Sequence, residues 1–171
     1  DLENRMKDFR VKKYQIHTDK IQNPEGVRFV LLADLHGISY GRENVRLVET
    51  IRRLNPDAIL SAGDMAVRTQ PDTLVTACKL LKKLVHDFPV YYALGNHEYK
   101  MTLSGEYRGY YEKYEKMLKT AGVHILRNTH EHAIFKGEHF CFWGLELPIE
   151  YYHKPKSPKL KTKMMEELIG K

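Results

Sequence analysis

The sequence predicts an α/β fold, and three observations carry that prediction. Short apolar runs alternate with longer stretches of helical spacing between residues 27 and 126. Each of the first three runs stops at a small polar cluster. The clusters recur about one strand-plus-helix unit apart, the interval that successive parallel strands require.

Val27 to Ala33 (VRFVLLA) is nearly continuously apolar, the pattern of a strand covered on both faces. Val45, Leu47, Val48, Ile51 and Leu54 then recur at helical spacing, with arginines and glutamates between them. Asn55-Pro56 ends that helix, because a residue before proline is pushed out of the helical region. Asp57 to Ala62 reads as a second buried strand. Pro71 and Asp72 open a helix whose stripe is Leu74, Cys78, Leu81 and Val85. Val90 to Leu94 is the third strand, and Tyr107 to Ala121 the third helix, with Gly122 suited to a left-handed cap. Val123 to Leu126 is the fourth strand.

The pattern changes after Asn128. Ala133 to Phe135 and Phe140 to Trp143 flank Lys136-Gly137-Glu138, which reads as an antiparallel hairpin. Phe9, Val11 and Ile16 are expected to form an edge strand ahead of the first unit. The stripe Tyr107, Tyr110, Tyr111 and Tyr114 continues into Met117 and Leu118. At that spacing it reads as core-facing rather than as a platform for stacking bases.

Composition narrows the function classes. Of 171 residues, 42% are hydrophobic and 29% charged, an ordinary globular balance rather than a disordered one. No apolar run approaches the ~18 residues that a membrane span needs. The net charge is +6, and residues 151–171 hold six lysines against Glu166 and Glu167, which places +4 of it in this tail. With Pro155, Ser157 and Pro158 beside the lysines, the tail reads as a solvated, partly irregular segment, and nucleic acid is not the expected partner. Cys78 on a helical stripe and Cys141 inside an apolar strand both read as buried free thiols.

The polar clusters carry the chemistry. They are Asp34-Leu35-His36-Gly37, Gly63-Asp64 and Gly95-Asn96-His97-Glu98. Asp34 to Asp64 is 30 residues and Asp64 to Asn96 is 32. In a parallel sheet all three emerge at the carboxyl edge, where open α/β sheets place their ligands. Carboxylate, imidazole and amide oxygen together suit divalent Mn, Fe or Zn. Asp34 and His36 leave the chain at alternate positions and can share one ion, and Asp64 between the other clusters is placed to bridge two. Gly63 and Gly95 let the backbone turn sharply and keep bulk away.

These blocks, with the longer stretches ADLHG, PDAILSAGDM and YYALGNHEY, resemble the calcineurin-like metallophosphoesterase family, its bacterial phosphohydrolase branch in particular. The resemblance runs from about Phe9 to about Pro148. It implies a β-sandwich flanked by helices with a dinuclear metal centre. By position, Asp34 and His36 would bind the first metal, Asp64 would bridge, Asn96 would bind the second, and His97 would face the substrate, stabilising the phosphoryl group or protonating the leaving oxygen. Arg68 stands where protein phosphatases of the family carry a phosphate-binding arginine. Val67 stands where they carry an aspartate behind the histidine, which argues against a protein phosphatase.

The implied reaction is hydrolysis of a phosphomonoester or phosphodiester by a metal-activated water. The family pattern also expects a later lone histidine and a Gly-His-x-His block, and neither is in this sequence. The remaining late histidines, His130, His132, His139 and His153, read as surface or hairpin residues. The expectation is therefore an N-terminal portion: a domain over 1–150 lacking its C-terminal strands, and an incomplete continuation over 151–171. The intact family site holds two divalent ions, and this chain would hold one or none. An unfinished core is expected to self-associate. Location stays open between cytoplasmic and membrane-anchored. The alternative reading is a non-catalytic metal-binding or interaction module.

Overall fold

In the computed structural model, which describes residues 8–152 and 156–169, four short strands run parallel in the spatial order of the chain. They are β1 (Phe29–Leu32), β2 (Ala58–Ser61), β3 (Val90–Ala93) and β4 (His124–Leu126). Between them lie α1 (Val45–Leu54), α2 (Thr73–Asp87), α3 (Asn96–Thr102) and α4 (Arg108–Ala121). An antiparallel hairpin follows, β5 (Thr129–Phe135) and β6 (Glu138–Gly144), then a 3-10 turn over Ile149–Tyr152 and α5 (Thr162–Ile169).

The period-2 alternation of the strands sorts their side chains onto two faces. Val30, Leu32, Ile59, Val90 and Tyr92 pack with the stripes of the helices, among them Leu47, Ile51, Leu81, Leu84 and Leu118. Phe29, Ala58, Leu60, Tyr91 and Leu126 face the other way and meet Ala133, Phe135 and Phe142 of the hairpin. Phe29 anchors that second layer, with its ring edge-on to Phe135, Phe140 and Phe142 at 5.7, 5.0 and 5.5 Å.

The α/β alternation stands, with several local differences. Leu31 shares the face of Phe29 but lies beyond the hairpin's cover and is 69% exposed, so β1 is not buried on both faces. Phe9 to Ile16 form no strand. Phe9 packs edge-on against Tyr40 at 5.0 Å, while Val11 and Ile16 are exposed. Of the tyrosine stripe, Tyr111 and Tyr114 are fully buried with Leu118, whereas Tyr110 and Met117 lie on the solvent side.

The hairpin is longer than the apolar pattern indicated, because Thr129, His130, Glu131 and His132 open β5 ahead of its first apolar residue. Lys136 and Gly137 both take positive φ (52° and 83°), as a two-residue hairpin turn requires. His130 and His132 therefore lie inside the hairpin rather than before it. Cys141 is exposed on the same outer face, and only Cys78 is buried. Within the tail, α5 is regular structure, and Tyr151 donates its hydroxyl to Met164 Sδ at 2.9 Å. His153 and Pro155 lie outside the described residues.

Candidate metal centre

The three clusters meet at the carboxyl ends of β1, β2 and β3, tied by backbone bonds between loops. The Asp34 N–H donates to Gly63 O (3.1 Å), His36 N–H to Asp64 O (3.0 Å) and Gly37 N–H to Met65 O (2.9 Å). Asp34, His36 and Asp64 all hold left-handed backbone, with φ of 54°, 48° and 51°. Non-glycine residues adopt that conformation at a cost, and such residues concentrate at functional sites. Asp34 and His36 lie past the end of β1, so this loop geometry, not strand alternation, brings Asp34 Oδ1 within 3.5 Å of His36 Nε2.

Two glycines set how closely the loops approach. A Cβ on Gly63 would fall 1.8 Å from the Gly95 nitrogen, and one on Gly95 would fall 2.2 Å from Asp64 Oδ1. Gly63 also has φ of 84°, which favours glycine on backbone grounds alone.

Asp64 is the junction of the site. Its Oδ1 accepts from the His97 backbone N–H at 2.8 Å and its Oδ2 from the Asn96 side-chain amide at 2.7 Å. One donor atom each from His36, Asp64 and His97 lies within 4.8 Å of the others. Asp34 joins this trio through His36, and Asn96 through Asp64. The carbonyl oxygen of Asn96 faces Lys100 Nζ at 3.4 Å. The imidazoles of His36 and His97 stand edge to face at 4.9 Å.

The set fits a borderline divalent ion by donor chemistry, since the half-buried imidazole of His36 and the carboxylate of Asp64 stand together, with His97 beside them. Each carboxylate oxygen of Asp64 accepts one N–H and still has a lone pair to offer.

Arg68 is exposed, and it is the backbone N–H of this residue that reaches the site, donating to His97 Nδ1 at 2.9 Å. Burial lowers the His97 pKa and outweighs the opposing pull of Asp64, while His36, Lys100 and Arg68 lower it further.

The residue that sequence reasoning left without a role is Glu98. It is fully buried, and its carboxylate accepts three backbone N–H groups: Asp64 (2.9 Å), Ala66 (3.0 Å) and Gly95 (3.1 Å). Burial pushes the Glu98 carboxyl up from the ordinary range, against the opposite pull of those donors. The signal was available, because a Glu three residues after Gly95 at the start of α3 is the acidic half of a capping box. Tyr152 is a second contact that the sequence did not point to. Its ring lies 5.8 Å from Tyr99 and 5.9 Å from Lys100 Nζ, against the helix that bears Asn96 and His97.

An α/β sheet with convergent imidazole and carboxylate donors at its carboxyl edge defines a candidate metal-dependent enzyme centre. The model of the calcineurin-like phosphoesterases matches residues 27–166, and the chain belongs to that family. It is 30% identical over 137 residues to a Danio rerio transmembrane protein with a metallophosphoesterase domain, covering 78% of this chain and 29% of that protein. A Caenorhabditis elegans protein also named a metallophosphoesterase is 31% identical over 151 residues, covering 78% and 29%. The chain thus spans under a third of the length of these relatives. A solved structure titled phosphopantetheinyl hydrolase, from Mycobacterium tuberculosis, aligns with a TM-score of 0.49 and 21% identity over 80% of this chain and 48% of that one.

Proposed function

We propose that this chain carries one half of a dinuclear phosphoesterase centre that hydrolyses phosphomonoesters or phosphodiesters. Asp34, His36 and Asp64 would hold the first ion, and Asp64 and Asn96 the second. The observation that carries this reading is the convergence of His36, Asp64 and His97 within 4.8 Å, with Asp34 and Asn96 attached. Divalent ions held there supply Lewis-acid activation of a water and neutralise phosphoryl charge.

The residues of the chain do the rest. Asp64 would offer its carboxylate to both ions, and Glu98 fixes the loop that presents it. His97, with Nδ1 already accepting from Arg68, turns an Nε2–H outward as a donor to a phosphoryl oxygen or the leaving group. The Arg68 guanidinium, on the exposed side of the same loop, is the phosphate contact in this reading. Mn, Fe and Zn all suit the donor set. The longer stretches that carry the three blocks favour the bacterial-type phosphohydrolase branch.

The chain divides in this reading into a metallophosphoesterase portion over 1–150 and a basic, proline-containing continuation over 151–171, on charge and proline distribution. Leu31, Ile134 and Trp143 expose large apolar surface, which favours self-association of the chain. Light scattering that gave a monomer at all concentrations would remove that part of the reading.

The alternative is a metal-binding or interaction module without turnover. Hydrolysis of p-nitrophenyl phosphate and its bis ester with added Mn²⁺ separates the two. Turnover abolished in Asp64→Ala supports the phosphoesterase, and Mn²⁺ binding without turnover supports the module. Neither turnover nor Mn²⁺ binding overturns both.

A further inference from the structure

A second group of metal-binding side chains lies on the exposed face of the hairpin. Donor atoms of His130, His132 and Cys141 all lie within 4.8 Å of one another, and all three residues are exposed. Strand alternation places His130 and His132 on the outer face of β5, two residues apart. In the antiparallel register His132 stands opposite Cys141, and His130 opposite Trp143. The His130 ring lies 4.2 Å from the Trp143 ring and 5.3 Å from that of His132, which holds it over the group.

We propose that His130, His132 and Cys141 form a zinc site that clasps β5 to β6. Two imidazoles and a thiolate are a softer set than the Asp, His and Asn of the main centre, and they select zinc over Mn²⁺ or Mg²⁺. A tetrahedral zinc holds such donors at about 2.0–2.3 Å from the metal, or roughly 3.5 Å from each other. The observed spacing closes to that value by small side-chain rotations, which an exposed face leaves free. Three protein ligands leave the fourth position to water. The ion would cross-link the two strands of the layer that covers Phe29 and Tyr91.

The site is independent of the phosphoesterase reading, and its test reads the thiolate rather than turnover. The full chain, kept reduced, is titrated with Co²⁺ as a spectroscopic stand-in for Zn²⁺. The proposal expects a near-ultraviolet thiolate-to-cobalt band that saturates at one equivalent and is displaced by Zn²⁺. The band disappears in Cys141→Ser and loses at least about tenfold in affinity in His132→Ala. It persists in Cys78→Ser and in Asp64→Asn. In parallel, Zn²⁺ slows alkylation of Cys141 at least about tenfold, and a chelator restores the rate. Because the ligand residues are exposed, Cys141→Ser and His132→Ala keep the wild-type circular dichroism. No thiolate band, a band that survives Cys141→Ser, or a band lost in Asp64→Asn would each overturn the proposal.

Discussion

The Arg68 backbone N–H donates to Nδ1 of His97, across 29 residues of sequence and 2.9 Å of space. That bond needs a lone pair on Nδ1, so the imidazole proton resides on Nε2. The resemblance to the family implies that its protein phosphatases place an aspartate behind this histidine, and here Val67 stands at that position. A main-chain donor orients the ring instead, and it favours the neutral imidazole. Nitrogen-15 NMR of the metal-free protein should show His97 as the Nε2–H tautomer. An Nδ1–H tautomer would mean that the Arg68 contact does not form in solution.

Glu98 ties three loops together, so its removal should cost more than a surface change. Glu98→Ala leaves three backbone N–H groups without an acceptor, at about 1 kcal/mol or more each. Urea unfolding should register a loss of about 3 kcal/mol or more, accompanied by weaker Mn²⁺ binding. Glu98→Gln retains one acceptor oxygen and should lose less. Equal losses for the two variants would show that the hydrogen bonds are not the cause.

Gly95 tests close approach rather than bonding. Its φ lies in the ordinary extended region, so backbone preference does not demand glycine there. An alanine Cβ would instead stand 2.2 Å from both the Asp64 nitrogen and its Oδ1. Gly95→Ala should displace Asp64, weaken Mn²⁺ binding by at least about tenfold and lower stability by about 1–3 kcal/mol. Near-wild-type metal affinity in this variant would contradict the packing described for the β2 and β3 loops.

The exposed cluster of Glu43, Lys79 and Lys83 sets a pH dependence of known sign. Hydrogen bonds from Lys83 and then Lys79 hold the Glu43 carboxyl below its ordinary value of 4.5. A depressed carboxyl pKa contributes stability above the unfolded value, and that contribution disappears as pH falls through the folded one. The group is exposed, so the effect is small and screened by salt. The difference in urea midpoint between wild type and Glu43→Gln should be present at pH 7 in low salt. It should diminish as pH falls below 4.5 and shrink in 1 M NaCl. A difference that does not diminish as pH falls would assign it to packing.

The amino-acid sequence determined the succession of strands and helices, the three clusters at strand ends, and through them the family. Those features are written in local periodicity and in short contiguous blocks, which neighbouring residues specify among themselves. Tertiary structure alone decided that Glu98 holds Asp64 and Ala66 from 34 and 32 positions away, that Arg68 aims His97 through its backbone, and that Leu31 lies beyond the hairpin's cover. It likewise placed His132 beside Cys141, because cross-strand register emerges only when the turn at Lys136-Gly137 closes. Bonds between distant main-chain groups have no residue-type signature, since every non-proline residue carries the same donor and acceptor.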